Sequence, residues 1–187
     1  MAFPPCGAHV PCGSLGAVSD LSLTKLAEQL AGFMLAAGQR LATAESCTGG
    51  WLAKTLTDLP GSSRWFECGY VTYSNEAKMR DLGVSPETLA EHGAVSERTA
   101  REMAAGTVRR TGSHVAIAIT GVAGPDGGTP AKPVGTVWFA VAFENEREAQ
   151  ARVQHFSGDR ESIRRESVKY ALEWLVAIQV LANATTV

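Results

Sequence analysis

One short apolar stretch, HVAIAITG at residues 114–121, limits the folds that this chain can adopt. Its nearly unbroken apolar character is typical of a strand that is buried on both faces of its sheet. Such a strand needs helices above and below it. Three long segments with helical character are available, at residues 19–38, 96–112 and 159–182. The sequence therefore predicts an α/β fold in which helices flank a central sheet, a three-layer α/β/α sandwich.

The other predicted elements complete this sheet and its helical layers. Alternating or β-branched patterns predict strands at residues 39–46, 65–74, 134–145 and 147–157. The last two are expected to pair as an antiparallel hairpin, which makes the sheet mixed rather than wholly parallel. Shorter helices are predicted at residues 49–61, 75–83 and 85–93, with Ser85 as a cap and Pro86 at the first helical position. Asp159 is the expected cap of the closing helix.

Domain organisation follows from the same patterns. Residues 20–184 are expected to form one domain, and residues 1–19, rich in Gly and Pro and without apolar periodicity, an unstructured extension. A formal charge of −2 argues against a protein that coats nucleic acid. Neither a signal peptide nor an apolar run of membrane-spanning length is found, so the prediction is a cytoplasmic protein with no nucleic-acid or membrane partner.

The chain has four cysteines, and in the absence of export signals they are expected to be reduced. The stretch CGAHVPC sets Cys6, His9 and Cys12 close together. Three ligands fall short of the four that structural zinc normally takes. No metal is therefore predicted.

The first candidate for chemistry is Ser46, in the stretch TAESCTGGWLAKTL. It lies where a strand gives way to a helix, and free backbone N–H groups at a helix start favour negative charge. They can stabilise the oxyanion that forms when a serine attacks a carbonyl. Gly49 and Gly50 would let a ligand approach the backbone. The alternative is that Ser46 or Thr48 only caps the helix.

A nucleophilic serine needs a base, and none of the histidines lies in an obvious triad setting. Lys78, in YVTYSNEAK, is a candidate if burial lowers its pKa from the ordinary value of about 10.4. Tyr73 lies close enough in sequence to relay or orient the proton. The alternative is that Lys78 is a solvated charge on a helix and that Tyr73 only packs.

Two further stretches suggest an anion site. ITGVAGPDGGTPAKPVGT follows the buried strand, and glycine-rich loops at strand ends cradle phosphates with their N–H groups. Thr120 is a candidate hydroxyl donor there, although the loop can also be a long connection. In FSGDRESIRRE, Arg160 opposes the dipole at a helix start, which hints that it serves an anion. Arg164 and Arg165 are expected to be surface charges.

Together these stretches resemble one family, the C-terminal domain of the CinA (competence/damage-inducible) proteins. The likeness runs from about residue 20 to 180 and includes AESCTGG, GYVTYSNEAK, GAVSERTAREMA, AITGVAGPDGGTPAKPVGTV and FSGDR. It implies that Ser46 is the catalytic serine and that Tyr73 and Lys78 are its conserved partners. It also places the family's Thr-Gly pair, glycine-rich loop and Gly-Asp-Arg at matching positions, which are Thr120, Gly121, Gly124, Gly158, Asp159 and Arg160.

The resemblance implies an amidohydrolase that converts nicotinamide mononucleotide to nicotinate mononucleotide and ammonia, in pyridine nucleotide salvage. Ser46 would attack, Lys78 with Tyr73 would act as base, and no cofactor would be needed. The expected substrate-binding residues are Thr48, Gly49, Gly50, Thr120, Gly121, Gly124 and Arg160. Two alternatives stay open: a nucleotide-binding module without catalysis, and an amidohydrolase that uses Cys47. A homodimer is expected, because symmetric dimers are the commonest oligomers.

Overall fold

The computed structural model of the protein describes residues 17–184, which form six α-helices, five strands and one turn of 3-10 helix. The strands are β1 (Leu41–Glu45), β2 (Phe66–Val71), β3 (Val115–Gly121), β4 (Thr136–Phe143) and β5 (Gln150–His155). The helices are α1 (Ala17–Ala37), α2 (Trp51–Thr57), α3 (Asn75–Leu82), α4 (Pro86–His92), α5 (Glu97–Thr111) and α6 (Arg160–Ala184). The 3-10 turn is Ser62–Arg64.

The five strands form one mixed sheet in the order β2-β1-β3-β4-β5. Strand β1 lies parallel to both β2 and β3, whereas β4 is antiparallel to β3 and to β5. The predicted mixed sheet with its late antiparallel hairpin is therefore confirmed. Because β1, β2 and β3 run in the same direction, their carboxyl ends meet at one edge of the sheet, where ligands bind in open α/β sheets.

The two faces of the sheet carry side chains of different size. Strands β3 and β4 turn large residues such as Ile117 and Phe139 toward α1, α2 and α6. The opposite face of these two strands carries alanines, among them Ala118 and Ala140, which pack against α5. Small side chains let α5 pack close to the sheet. Helices thus cover both faces, and the predicted three-layer α/β/α sandwich is confirmed.

The helix ends follow the predicted capping chemistry. The hydroxyl of Ser85 accepts a hydrogen bond from the Thr88 N–H, and Pro86 occupies the first helical position of α4. The Asp159 carboxylate accepts from the Ser162 N–H at 2.8 Å, so it caps α6. Helix α1 begins at Ala17, ahead of the boundary expected at residue 20. The expectation of an unstructured extension otherwise concerns residues 1–16, which lie outside the described part of the chain, as do Cys6, His9 and Cys12.

Between residues 17 and 184, no helix has the length and apolarity needed to cross a bilayer.

Candidate active site

The parallel strands bring the candidate residues to one cavity at their carboxyl edge. Ser46 follows β1, Tyr73 follows β2, and Thr120 lies near the end of β3. The cavity has a volume of about 270 Å³. Eight residues named from the sequence line it: Ser46, Cys47, Tyr73, Lys78, Thr120, Gly121, Gly124 and Arg160. A larger depression of about 660 Å³ lies against α5, but none of these residues lines it.

The Ser46 hydroxyl and the Lys78 amine lie in direct contact at the floor of this cavity. Lys78 Nζ is 3.0 Å from Ser46 Oγ, and the Lys78 side chain is only 1% exposed. The same nitrogen lies 2.7 Å from the Thr72 carbonyl and 3.4 Å from the Tyr73 carbonyl. A neutral amine has two N–H donors and one lone pair. It can therefore donate to both carbonyls and accept the proton of Ser46.

Burial gives Lys78 the protonation behaviour that a base requires. Removal from water disfavours the ammonium form and lowers the pKa of Lys78 to about 8. Among the described residues, no carboxylate forms an ion pair with Lys78 that would offset this effect. A useful fraction of the amine is then neutral near neutral pH. The alternative interpretation of Lys78 as a solvated helix charge is wrong, since its side chain is buried.

The cap of α2 is Glu45, a residue that the sequence reasoning missed. One carboxylate oxygen of Glu45 accepts from the N–H groups of Gly50 and Leu52 at 3.0 and 3.1 Å, and the other accepts from Ala53 at 2.8 Å. The expectation that Ser46 or Thr48 might cap this helix is therefore wrong. With Glu45 at the helix start, the Ser46 hydroxyl faces Lys78 instead.

The turn between Ser46 and α2 contains one N–H group, that of Cys47, that is available to an oxyanion. The N–H of Gly49 is bonded to the Ser46 carbonyl, and that of Gly50 to Glu45. No described backbone carbonyl accepts a hydrogen bond from the N–H of Cys47. Cys47 lines the cavity directly after the serine, where the oxyanion of an attacked carboxamide would form.

The thiol of Cys47 is unsuited to act as the nucleophile. The residue is 5% exposed and belongs to the apolar cluster between the sheet and the α1, α2 and α6 layer. Burial raises the pKa of the Cys47 thiol to about 12. The reactive form of cysteine is the thiolate, which is scarce at neutral pH for such a pKa. The structure therefore favours Ser46 over Cys47.

Tyr73 and Arg160 form a pair at the mouth of the cavity. The Arg160 guanidinium donates to the Tyr73 hydroxyl at 3.0 Å and to the Gly124 carbonyl at 2.7 Å. It is the backbone carbonyl of Tyr73, not its hydroxyl, that contacts Lys78. The phenol is 61% exposed. The Tyr73 hydroxyl therefore lies beside Arg160, and the contacts of the Lys78 amine do not include it.

The hydroxyl of Thr120 is already engaged within the protein. It donates to the Ala94 carbonyl at 2.8 Å, and the residue is 1% exposed. Its proton is thus not available to a ligand, contrary to the prediction, although its oxygen can still accept. Thr120 joins the end of β3 to the segment before α5. Gly124 has a φ of +76°, and a Cβ there would lie 2.6 Å from Val134, so the loop needs glycine at this point.

Three predicted substrate contacts lie outside this cavity. Gly49 and Gly50 line a separate depression with Trp51, Lys54 and Arg164, on the other side of the turn. Thr48 is fully buried and lines neither the cavity nor this depression. The glycines have φ values of +63° and +91°, which fold the turn so that the Gly50 N–H reaches Glu45. Their role in the structure is to shape the backbone.

Arg164 is not the surface charge that the sequence suggested. It is half-buried, and its guanidinium donates to the carbonyls of Cys47 and Thr48 at 3.1 and 2.9 Å. Neither Glu45 nor Arg164 has a local sequence signal for its role, because each acts on backbone that only the fold brings close. Among residues 17–184, no group of His, Cys, Asp and Glu side chains could hold a metal ion.

Comparison with known proteins gives a consistent result. The family model described as the CinA C-terminal domain matches residues 23–178. The chain is 52% identical over 158 residues to "Nicotinamide-nucleotide amidohydrolase PncC" of Escherichia coli (strain K12), covering 84% of this chain and 95% of that protein. It is 56% identical over 130 residues to a "CinA-like protein" of Chloroherpeton thalassium, covering 70% of this chain and 30% of that longer protein.

Solved structures show the same fold. The crystal structure of the competence damage-inducible protein A from Klebsiella pneumoniae superposes with a TM-score of 0.80 at 42% identity, covering 83% of this chain and 95% of that one.

The low pKa of Lys78 predicts a specific pH dependence of stability. The value falls from 10.5 in an exposed lysine to about 8, so the unfolded chain holds this proton more tightly than the folded one. The resulting penalty is fully present below pH 8 and is relieved as pH rises toward 10.5. Relative to Lys78→Met, wild type is expected to gain about 3 kcal/mol in free energy of unfolding across this window. Denaturant titrations of both proteins at several pH values measure the difference, and a pH-independent difference would contradict the assignment.

Proposed function

This chain belongs to the CinA C-terminal domain family, and we propose that it hydrolyses the carboxamide of nicotinamide mononucleotide to give nicotinate mononucleotide and ammonia. The observation that carries the proposal is the contact of 3.0 Å between Lys78 Nζ and Ser46 Oγ at the floor of a nucleotide-sized cavity. The similarity to proteins named nicotinamide-nucleotide amidohydrolase supports the choice of substrate.

The first half of the reaction forms an acyl-enzyme. Neutral Lys78 removes the proton of Ser46, and the serine oxygen attacks the carboxamide carbon. The carbonyl oxygen becomes negatively charged and accepts a hydrogen bond from the N–H group of Cys47. The positive pyridinium ring withdraws electrons from the amide carbon and assists the attack.

Collapse of the tetrahedral intermediate releases ammonia. The C–N bond breaks as protonated Lys78 delivers its proton to the leaving nitrogen, which returns the lysine to the neutral form. Water then attacks the acyl carbon, with Lys78 accepting one of its protons and returning a proton to the Ser46 oxygen. One water is consumed and one ammonia is released, so the cycle restores the serine and the neutral amine.

The mouth of the cavity suits the phosphate and ribose of the nucleotide. Arg160 offers a positive charge there, held between Tyr73 and Gly124. Its planar fork matches a phosphate, and the adjacent glycine-rich loop can add backbone donors. The Tyr73 phenol lies beside the guanidinium and can take a hydrogen bond from the ribose. With the phosphate bound at Arg160, the carboxamide end of the ligand would face Ser46.

The biological setting that we propose is pyridine nucleotide salvage in the cytoplasm. The thiols of Cys47 and Cys68 are both free, as expected for a reducing compartment. A homodimer stays a prediction.

Ammonia release tests the proposal against its two alternatives. The Ser46→Ala variant is expected to lose at least about 10³-fold in kcat with nicotinamide mononucleotide, because the nucleophile is gone while the fold is kept. Cys47→Ala keeps the backbone N–H and is the matched control, expected to lose far less. A Cys47→Ala loss larger than that of Ser46→Ala would favour the cysteine mechanism. Wild-type protein that binds the nucleotide without releasing ammonia would favour a binding module.

The role of Lys78 as base predicts the pH profile of the enzyme. The amine must be neutral to accept a proton, so kcat/KM is expected to rise about tenfold per pH unit below the pKa of about 8 and to level off above it. Lys78→Arg cannot deprotonate in this range and is expected to lose about 10²–10⁴ in rate. A flat profile in wild type between pH 6.5 and 9, or near-normal turnover in Lys78→Arg, would contradict the Ser–Lys mechanism.

Arg160 is expected to act on binding through the phosphate. Arg160→Ala removes a charge-assisted contact and is expected to weaken binding of nicotinamide mononucleotide by about 1.5–3 kcal/mol. Tyr73→Phe is the matched control, since it removes the hydrogen-bond partner of Arg160 and leaves the charge in place. Binding of the dephosphorylated riboside is the second measurement. An equal loss for nucleotide and riboside in Arg160→Ala would show that Arg160 does not contact the phosphate.

A further inference from the structure

We propose that Asp126 is a specificity-determining residue whose carboxylate accepts hydrogen bonds from the ribose hydroxyls of the substrate. This inference rests on the proposed function, because it divides the parts of one nucleotide among residues of the same cavity. Asp126 lies in the glycine-rich loop between β3 and β4 and lines that cavity together with Ser46 and Arg160. It would make the ribose hydroxyls, and not only the phosphate and the carboxamide, determinants of substrate choice.

Asp126 carries the only carboxylate among the described residues that line the cavity. The cavity also contains the guanidinium of Arg160, which donates to two uncharged groups, the Tyr73 hydroxyl and the Gly124 carbonyl. Across residues 17–184, no ion pair includes Asp126. The cavity therefore presents a cation and an anion that are not paired with each other, and both can meet a ligand.

The fold of the loop does not use the Asp126 side chain. Aspartate often stabilises a turn by accepting a hydrogen bond from nearby backbone. In this loop that part is taken by Thr129, whose hydroxyl accepts from the Lys132 N–H at 3.1 Å. Asp126 is exposed and lies between Gly124 and Gly127, which have φ values of +76° and +87°. The glycines shape the turn, and the carboxylate is left for another partner.

Contacts at its base and on both flanks hold the loop against the cavity. The Val122 N–H donates to the first residue of β4 at 2.9 Å. The Gly124 carbonyl accepts from Arg160 at 2.7 Å, and Lys132 Nζ donates to the His92 carbonyl at 2.6 Å. Binding to a loop that is already held in place costs less ordering of the chain. The position of Asp126 is therefore set before a ligand enters.

The chemistry of a carboxylate decides which part of the nucleotide it meets. A carboxylate accepts hydrogen bonds and donates none, so it would repel the phosphate that we assign to Arg160. The carboxamide is assigned to Ser46, and the pyridinium ring has a charge but no N–H or O–H donor. The two ribose hydroxyls are donors, and the ribose joins the ring to the phosphate. Acidic side chains bind ribose hydroxyls in the same way in dinucleotide-binding folds.

The test uses analogues of nicotinamide mononucleotide that lack the 2′ or the 3′ hydroxyl, with ammonia release as the readout. Asp126→Ala removes hydrogen bonds to a charged group and is expected to lower kcat/KM for the complete nucleotide about 10- to 100-fold. Wild type is expected to lose a similar factor with at least one deoxy analogue. Asp126→Ala is expected to lose no more than about twofold when the same hydroxyl is removed, because effects of two groups in contact are not additive.

Two variants control for charge and for structure. Glu146→Gln removes the same charge from an exposed loop residue outside the cavity, and it is expected to behave as wild type with every analogue. Asp126→Asn keeps an acceptor oxygen without the charge. Its kcat/KM with the complete nucleotide is expected to lie between those of wild type and Asp126→Ala.

The positive charge of the pyridinium ring is the rival partner for Asp126. The reduced nucleotide has an uncharged ring with the same ribose and phosphate, so it separates the two possibilities. Dissociation constants of both nucleotides are measured with Ser46→Ala and with Ser46→Ala combined with Asp126→Ala. The ribose contact predicts the same weakening for both nucleotides, about 10- to 100-fold. Weakening confined to the oxidised nucleotide would show that the carboxylate pairs with the ring, and the inference would be wrong.

Two further results would overturn the inference. An unchanged kcat/KM in Asp126→Ala would show that the carboxylate does not contact the nucleotide. An equal penalty for the deoxy analogues in wild type and in Asp126→Ala would show that other groups bind the ribose hydroxyls. Both results leave the proposed function intact, because wild type still releases ammonia. Absence of ammonia release by wild type would overturn the proposed function, and the binding comparison would then still decide the ribose contact.

Discussion

The candidate site depends on the hydrogen bonds that the carboxylate of Glu45 accepts. It receives three N–H groups from the start of α2 and so takes over the capping that a serine or threonine normally performs. Because these donors are satisfied by Glu45, the Ser46 hydroxyl is not needed at the helix end. The turn after β1 can then present Ser46 to Lys78 and leave the N–H group of Cys47 without a backbone acceptor. The chemistry of the serine thus follows from a capping contact made by its neighbour.

Within the described part of the chain, no carboxylate forms an ion pair with Lys78 or Arg164. Lys78 contacts two backbone carbonyls and a hydroxyl, and Arg164 contacts two carbonyls. Carbonyl dipoles hold these groups in place but neutralise them less than an ion pair would. Burial then leaves a lysine that can lose its proton, as desolvated groups in active sites do.

The fold could be predicted almost completely from the sequence, and the reasons are local. The apolar run of β3 and the capping serine and proline of α4 are encoded within a few residues, so periodicity and turn chemistry reveal them. The grouping of Ser46, Tyr73, Lys78 and Arg160 was suggested by resemblance to a family. What the sequence did not indicate were contacts between side chains and remote backbone. Glu45 reaches a helix start several residues on, Arg164 reaches carbonyls across the layer, and the Thr120 hydroxyl is taken by Ala94. Contacts of this kind leave no periodic pattern in the sequence, because they form only after the layers have packed.

Helix α6 contributes both arginines of the site from its first two turns. Arg160 and Arg164 are four positions apart, which places them on one face of the helix. This helix is the last element of the described chain, whereas Ser46 and Lys78 belong to its first half. During synthesis strands β1 to β3 and the serine–lysine pair therefore leave the ribosome well before either arginine does. The cavity, which Arg160 lines, can be completed only after the closing helix has docked.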